Sequence, residues 1–278
     1  MMEHVEPMGV DPRDVTRVLP PYSLGGDEIK RLHHHAVAIA RALGIVGLLH
    51  VEFALKHDAV YVLGVSRGAS ATLPFVSRAI GVPLARLAAG VRLGEPVPEI
   101  EPRPPGLVAV SHAAGSSREV MAVDDDVRTA HLKCQLAAGV RLPTAGRAWL
   151  SARSCDRRAL VMLAQRLSRL GFTVLAAGDT ARVLRRHGLA VEDSGDRRLI
   201  DLVRAGAIAL AVDVPGDDDA RRRSAEARHE ALRRHLPYAG SLDGAQTLVG
   251  ALEILLEEDR QPIALRNVFR LGSPPAAA

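Results

Sequence analysis

Residues 50–88 read HVEFALKHDAVYVLGVSRGASATLPFVSRAIGVPLARLA. Two apolar runs, Val46–Leu55 and Val60–Val65, flank the polar pair His57-Asp58. Such runs around a turn-forming residue predict two strands joined tightly as a hairpin. Thr72 and Pro74 then predict a helix start, since a hydroxyl suits the cap and proline suits the first turn. Helical segments are expected from Leu73 and from Pro83.

Upstream, Gly25–Leu43 has helical spacing, with Leu32, Val37, Ile39 and Leu43 as apolar positions. His33-His34-His35 lies inside it, and three consecutive helical residues point in different directions. An exposed face is therefore expected there, not a metal site. Downstream, Glu95–Pro105 holds five prolines and reads as a connector. Strands are expected near Leu107–Val110 and Glu119–Val123, around the loop Gly115-Ser116-Ser117. A helix over Asp125–Ala138 and a linker at Pro143–Gly146 follow.

The remainder alternates. Strands are predicted at Ala148–Ser151, Phe172–Ala176 and Ala207–Val212. Helices are predicted at Asp156–Leu170, Thr180–His187, Asp196–Ala205, Ala220–His235 and Gly244–Glu258. Alternation of this kind implies a parallel sheet with helices on both faces.

The chain has 278 residues, 47% hydrophobic and 24% charged, the balance of a globular protein. No apolar stretch approaches the ~18 residues of a membrane span. The start, MMEHVEPMGVD, is acidic and does not resemble a signal peptide, so a cytoplasmic location is expected. Cys134 and Cys155 have no metal or redox spacing. The net charge is +4, but aromatics are only 3% and Asp217-Asp218-Asp219 offsets Arg221-Arg222-Arg223. A nucleic-acid partner is not expected.

Several segments carry a family resemblance in chain order. They are Met2-Glu3-His4-Val5-Glu6 with Gly9-Val10 and Asp14, then Pro20-Pro21-Tyr22-Ser23-Leu24, then Val51-Glu52-Phe53-Ala54. Pro74-Phe75-Val76-Ser77, Gly81-Val82-Pro83-Leu84-Ala85, Glu119-Val120-Met121, Lys133–Leu136 and Gly146-Arg147-Ala148 follow. Together they resemble the C-terminal part of the carbamoyl-phosphate synthase large subunit. The resemblance implies an α/β chain: an α+β ATP-grasp-like C-terminal half over 1–142, then a doubly wound parallel-sheet, methylglyoxal-synthase-like domain over 143–272. A disordered tail, 273–278, is expected after it. The first ATP-grasp half has no counterpart in the sequence, so no self-sufficient ATP clamp is expected.

In the resembled family, a Gln or Glu, a Glu and an Asn hold magnesium on ATP. Here Glu52 takes the first of these positions, Gly64 the second and Ser66 the third. Glu52 is thus a residual metal ligand or a strand residue. An Arg of the next loop corresponds to Ala71. Of the family's His-Ser-Gly-Asp only Asp14 remains, in Asp11-Pro12-Arg13-Asp14, and a Thr-Gly becomes Ser117-Arg118. ATP and Mg²⁺, the cofactors of the family, are expected to bind weakly or not at all.

The resembled regulatory domain binds effector phosphates. The corresponding positions implied here are Arg157, Gly178, Thr180 and Ser241. Ala177 replaces a Thr, and Asp179 is read as the cap of a helix starting at Thr180. A phosphorylated metabolite or nucleotide effector is an expected partner. So is a second copy of the chain, or a separate chain supplying the other ATP-grasp half. The leading expectation is a relative without phosphoryl transfer that retains a regulatory anion-binding domain. Two alternatives stand beside it: the C-terminal component of a split ATP-dependent synthase, and a methylglyoxal-synthase-type lyase using Asp196 and Asp213 as acid and base.

Overall fold

In the computed structural model the described residues are 1–5, 15–56, 58–97, 106–114 and 118–257. The expected His57 turn position, most of the Glu95–Pro105 connector, the Gly115–Ser117 loop, Asp11–Asp14 and the 273–278 tail lie outside them. Two short strands come first, β1 (Glu3–His4) and β2 (Thr16–Leu19). Then follow α1 (Gly26–Ala42), β3 (Leu49–Lys56), β4 (Ala59–Arg67), α2 (Leu73–Ile80) and α3 (Leu84–Arg92). Next are β5 (Val108–Ala114), β6 (Arg118–Asp124) and α4 (Val127–Ala137). The chain continues through β7 (Gly146–Ala152), α5 (Arg157–Arg169), β8 (Phe172–Ala176), α6 (Gly178–Arg186) and β9 (Val191–Asp193). The last elements are α7 (Leu199–Arg204), β10 (Leu210–Val214), α8 (Asp218–Arg233), β11 (Tyr238–Ala239) and α9 (Leu242–Glu257).

The chain divides into two compact units. Of the described residues, the first holds 1–3 and those between 19 and 107, and the second 4–5, 15–18 and those between 108 and 257. In the first unit, the Gly25 backbone N–H donates to Glu28 at 2.7 Å and starts α1. Asp27 and Glu28 in its first turn and Arg41 in its last complement the helix dipole. The His33-His34-His35 imidazoles are all exposed. β3 and β4 pair antiparallel from Leu49↔Arg67 to Lys56↔Ala59. Asp58 takes φ 62°, a left-handed turn geometry that Asp tolerates. α2 starts at the Thr72 cap with Pro74 in its first turn, as the sequence predicts, and ends on Gly81 in the left-handed region.

In the second unit a four-stranded sheet has the order β1-β2-β5-β6. Val5, Val18, Val110 and Ala122 pack there with Ala130 and Cys134 of α4. Asp126 caps α4 by accepting the Thr129 N–H at 3.0 Å.

The same unit contains a five-stranded sheet of order β11-β10-β7-β8-β9, with every pairing parallel. Alternate residues of its strands feed two cores. Ala148, Leu150, Val174, Leu210 and Val212 pack with Leu160, Leu163 and Leu167 of α5, Leu184 of α6 and Leu252 of α9. Trp149, Leu175 and Ala211 pack on the opposite side with Leu202 and Val203 of α7 and Ala227 and Ala231 of α8. Helices cover both faces, so the doubly wound α/β architecture is observed. Gly146 opens β7 at φ 123°, and a Cβ there would meet Ala209 Cβ at 2.8 Å. Only glycine fits this close approach. Strands β1, β2, β9 and β11 are not anticipated by the sequence reading.

Candidate functional site

The hairpin places the expected metal positions on one face. Glu52 lies directly across from Gly64, and His50 across from Ser66. Residues facing each other across a ladder share a face, and a step of two returns to it. The register shifts just after the Glu52–Gly64 pair, so the bulge leaves that pair intact. A Cβ added to Gly64 would stand 3.6 Å from Glu52 Oε2. Position 64 is therefore where a second carboxylate would meet Glu52, and glycine leaves that place empty of side chain. Among the described residues no group of three His, Cys, Asp or Glu side chains is arranged to hold a metal ion.

The second group of positions lies at the C-terminal ends of the parallel strands, where open α/β sheets bind ligands. α6 begins at Gly178, two residues before the expected start, with Ala177 as its extended cap. Asp179 is thus not the helix cap. Helical spacing turns it toward Arg182, whose guanidinium reaches its Oδ1 at 2.8 Å. Its Oδ2 accepts from Arg157 at 3.3 Å. Arg157 also donates through Nε to the Ala152 carbonyl at 3.2 Å. Thr180 is buried, and its hydroxyl lies 3.4 Å from both the Ala152 N–H and the Ala152 carbonyl. Gly178 has φ 54°. Arg157, Gly178 and Thr180 therefore come together around the end of β7, with Asp179 among them.

Ser241 stands elsewhere. It follows β11, which is separated from β8 by β10 and β7. Three strand spacings of about 4.8 Å put it roughly 14 Å along the sheet from the Thr180 position. Its hydroxyl accepts the Gly244 N–H at 3.0 Å, as a helix cap does, and donates to the Val5 carbonyl at 3.4 Å. The crevice between β7 and β10, where the strand order reverses, is closed by chain contact. The Arg153 N–H donates to the Val214 carbonyl at 3.1 Å, and a Cβ on Gly216 would lie 3.1 Å from Arg153 Cβ.

Asp213 is buried on the side of β10 facing α8. It accepts from Ser224 Oγ at 2.5 Å and from Tyr238 OH at 3.1 Å. Burial raises its pKa above the ordinary carboxylate value, against the lowering effect of those hydrogen bonds. Asp196 is exposed and follows β9, at the other side of the sheet, with β8 and β7 between it and β10. Arg182, Ser224 and Tyr238 were not singled out from the sequence. The i,i+3 spacing of Asp179 and Arg182 was the one signal that could have found the first.

Two family models match separate parts of the chain. A family model described as carbamoyl-phosphate synthase L chain, ATP binding domain, matches residues 1–100. An MGS-like domain model matches residues 159–239. A Methanopyrus kandleri protein named carbamoyl phosphate synthase large chain, C-terminal section, is 34% identical over 97% of this chain and 56% of its own length. Over nearly its whole length the chain is similar to the C-terminal part of carbamoyl phosphate synthase large chains. A C-terminal section from Methanocaldococcus jannaschii is 31% identical over 91% of this chain and 47% of its own length. The large chain of Myxococcus xanthus is 33% identical over 99% of this chain and 28% of its own length. The chain thus spans about half the length of the C-terminal sections and just over a quarter of that carbamoyl phosphate synthase large chain. Among solved structures, methylglyoxal synthase from Elizabethkingia anophelis NUHP1 aligns with a TM-score of 0.35 at 16% identity, over 49% of this chain and 97% of that one. That score is too low to carry an argument. Among the described residues no helix is long and apolar enough to cross a membrane.

Proposed function

We propose that this chain is a carbamoyl phosphate synthase large-chain relative without phosphoryl transfer, whose methylglyoxal-synthase-like part serves as a regulatory module for a small anion. The observation that carries the first half is the Glu52–Gly64 pair. Mg²⁺ bound to phosphates needs near-octahedral oxygen ligation. One carboxylate, an empty position 64 and the hydroxyl of Ser66 do not fit that requirement. No catalytic step through ATP or Mg²⁺ is assigned to these residues. The purified chain, given ATP, bicarbonate and ammonia, is expected to form no carbamoyl phosphate. Turnover above the protein-free control would overturn the reading.

The second half rests on Arg157, Gly178 and Thr180 around the first turn of α6. Free helix N–H groups and a guanidinium suit an anion. Arg157 is already engaged by Asp179, and Thr180 by Ala152. Weak binding follows, and a thermal-shift series with phosphate, nucleotides and phosphorylated metabolites tests it. No shift with any of them removes this half while leaving the first standing.

A second reading is favoured by the relatives named as C-terminal sections. It makes the chain one component of a split synthase, with a separate polypeptide supplying the remaining ATP-grasp part. Co-expression with such a polypeptide, followed by the same assay, distinguishes the two readings. The lyase reading is disfavoured, because Asp196 and Asp213 sit at strands three spacings apart and Asp213 is held by Ser224 and Tyr238.

A further inference from the structure

The second compact unit contains a cavity of about 60 Å³ whose lining mixes apolar and polar side chains. Thr16 of β2, His112 of β5, His131 and Gln135 of α4, Arg228 of α8 and Tyr238 of β11 are among the residues lining it. The cavity therefore lies in the seam where the four-stranded sheet and α4 meet the α8–β11 edge of the parallel sheet. His131 is 5% exposed, and its Nδ1 has no hydrogen-bond partner among the described residues. His112 is 7% exposed, with Nδ1 lying 3.1 Å from Thr16 Oγ1. Neither imidazole belongs to the sites described above.

We propose that His112 and His131 make this seam an acid-sensitive latch, packed when both imidazoles are neutral and loosened when either is protonated. A buried charge is costly unless it is paired. Among the described residues, the charged groups facing the seam offer His112 no counter-ion. Arg17 of β2 and Arg228 of α8 repel an imidazolium there. Glu119 of β6 is already engaged by Arg17 at 3.3 Å and by Ser111 at 3.0 Å. On α4, burial pushes the Cys134 thiol up to about 12, so it stays neutral. The Tyr238 hydroxyl of β11 donates to Asp213 at 3.1 Å. Desolvation first, then Arg228 and Arg17, lower His112 to about 4. Desolvation, then His112, lowers His131 to about 3.

Both folded values lie below the ordinary histidine value, so the unfolded chain takes up protons that the folded chain refuses. The stability is complete above about pH 6.5 and is lost as pH falls from there toward the folded values. Each histidine weakens the folding equilibrium about twentyfold between pH 7 and pH 5, and the two together about five-hundredfold.

The test uses the full chain. Denaturant unfolding is measured from pH 7.5 to pH 5 for wild type, His131→Leu and His112→Gln, and imidazole NMR follows the native chain over the same range. The proposal expects each variant to lose about thirtyfold of the pH dependence. It also expects two rings of the native protein to stay neutral at pH 5. An unchanged pH slope in both variants overturns it. If a variant fails to fold, the NMR titration decides: all rings titrating near pH 6.5 in the native chain overturns the proposal, and two neutral rings at pH 5 uphold it.

Discussion

Returning a carboxylate to position 64 is the most direct perturbation of the hairpin. In Gly64→Glu the new Cβ lies 3.6 Å from Glu52 Oε2, and the new carboxylate comes within about 4–5 Å of its neighbour on the same face. Glu52 is exposed, so the repulsion is that of two charges in water, about 1 kcal/mol. Replacing a strand glycine returns roughly 0.5–1 kcal/mol of backbone entropy. The two effects nearly cancel, and without metal the melting temperature should stay within about 2 °C of wild type. Mg²⁺ changes the balance, because it neutralises both carboxylates. Ser66→Asn adds an amide oxygen on the same face. Metal at ten times its dissociation constant stabilises by about 1.4 kcal/mol, a rise of roughly 3–6 °C for a domain of this size. The assay is a thermal melt of wild type and Gly64→Glu/Ser66→Asn, with millimolar MgCl₂ and with NaCl of equal ionic strength. Wild type should show no magnesium-specific shift and the double variant should show one. An equal shift in wild type would mean that Glu52 works without a second carboxylate. No shift in either would mean that the face does not present its side chains as the ladder implies.

Three further outcomes follow from the second unit. Arg166 holds Glu253 through two hydrogen bonds of 2.6 and 2.7 Å, tying α5 to α9, so Arg166→Ala should cost about 1–2 kcal/mol by chemical denaturation. Arg166 also depresses the Glu253 pKa, so this loss should be present above pH 4.5 and fade as pH drops below it. Asp213→Ala strands the Ser224 and Tyr238 hydroxyls in the interior and should cost about 1–3 kcal/mol, whereas Asp213→Asn keeps an acceptor and should cost less. Leu160 is fully buried between α5 and the sheet, and Leu160→Ala should cost about 2–5 kcal/mol in the same unfolding assay.

The parallel sheet was legible because its signals are local. The apolar runs Ala148–Ser151 and Ala207–Val212 announce strands by continuous hydrophobicity, although β10 starts at Leu210 and runs on to Val214, and Thr72 and Pro74 mark their helix by cap chemistry. β9 and β11 have three and two residues, too few to show any period. β1 and β2 were invisible for another reason: β2 neighbours β5, whose sequence begins some ninety residues later, and no local pattern reports such a pairing. The two strands and their turn were readable, but the facing of Glu52 and Gly64 was not: the register set at the turn would pair Glu52 with Leu63, and the irregularity between Glu52 and Phe53 moves its partner to Gly64. The start of α6 was not, because Gly178 in a left-handed conformation looks like loop. That misplacement made Asp179 a cap, when it is a bridge between Arg157 and Arg182. Ser241 was grouped with Arg157 and Thr180 without knowledge of strand order, and it is the order β11-β10-β7-β8 that separates them.

The main stretch of the first compact unit, from Leu19 to Leu107, lies in the chain between two segments of the second. On the ribosome this order matters. Strands β1 and β2 are made before β5, which is synthesised only after the intervening hairpin and helices. At about 5–20 residues per second, β2 waits several seconds or more for its neighbour. During that interval Val5 and Val18 remain without the valines and alanines that later cover them. A nascent chain stalled before Val108 therefore leaves the β5-facing edge of the apolar strand β2 without its partner.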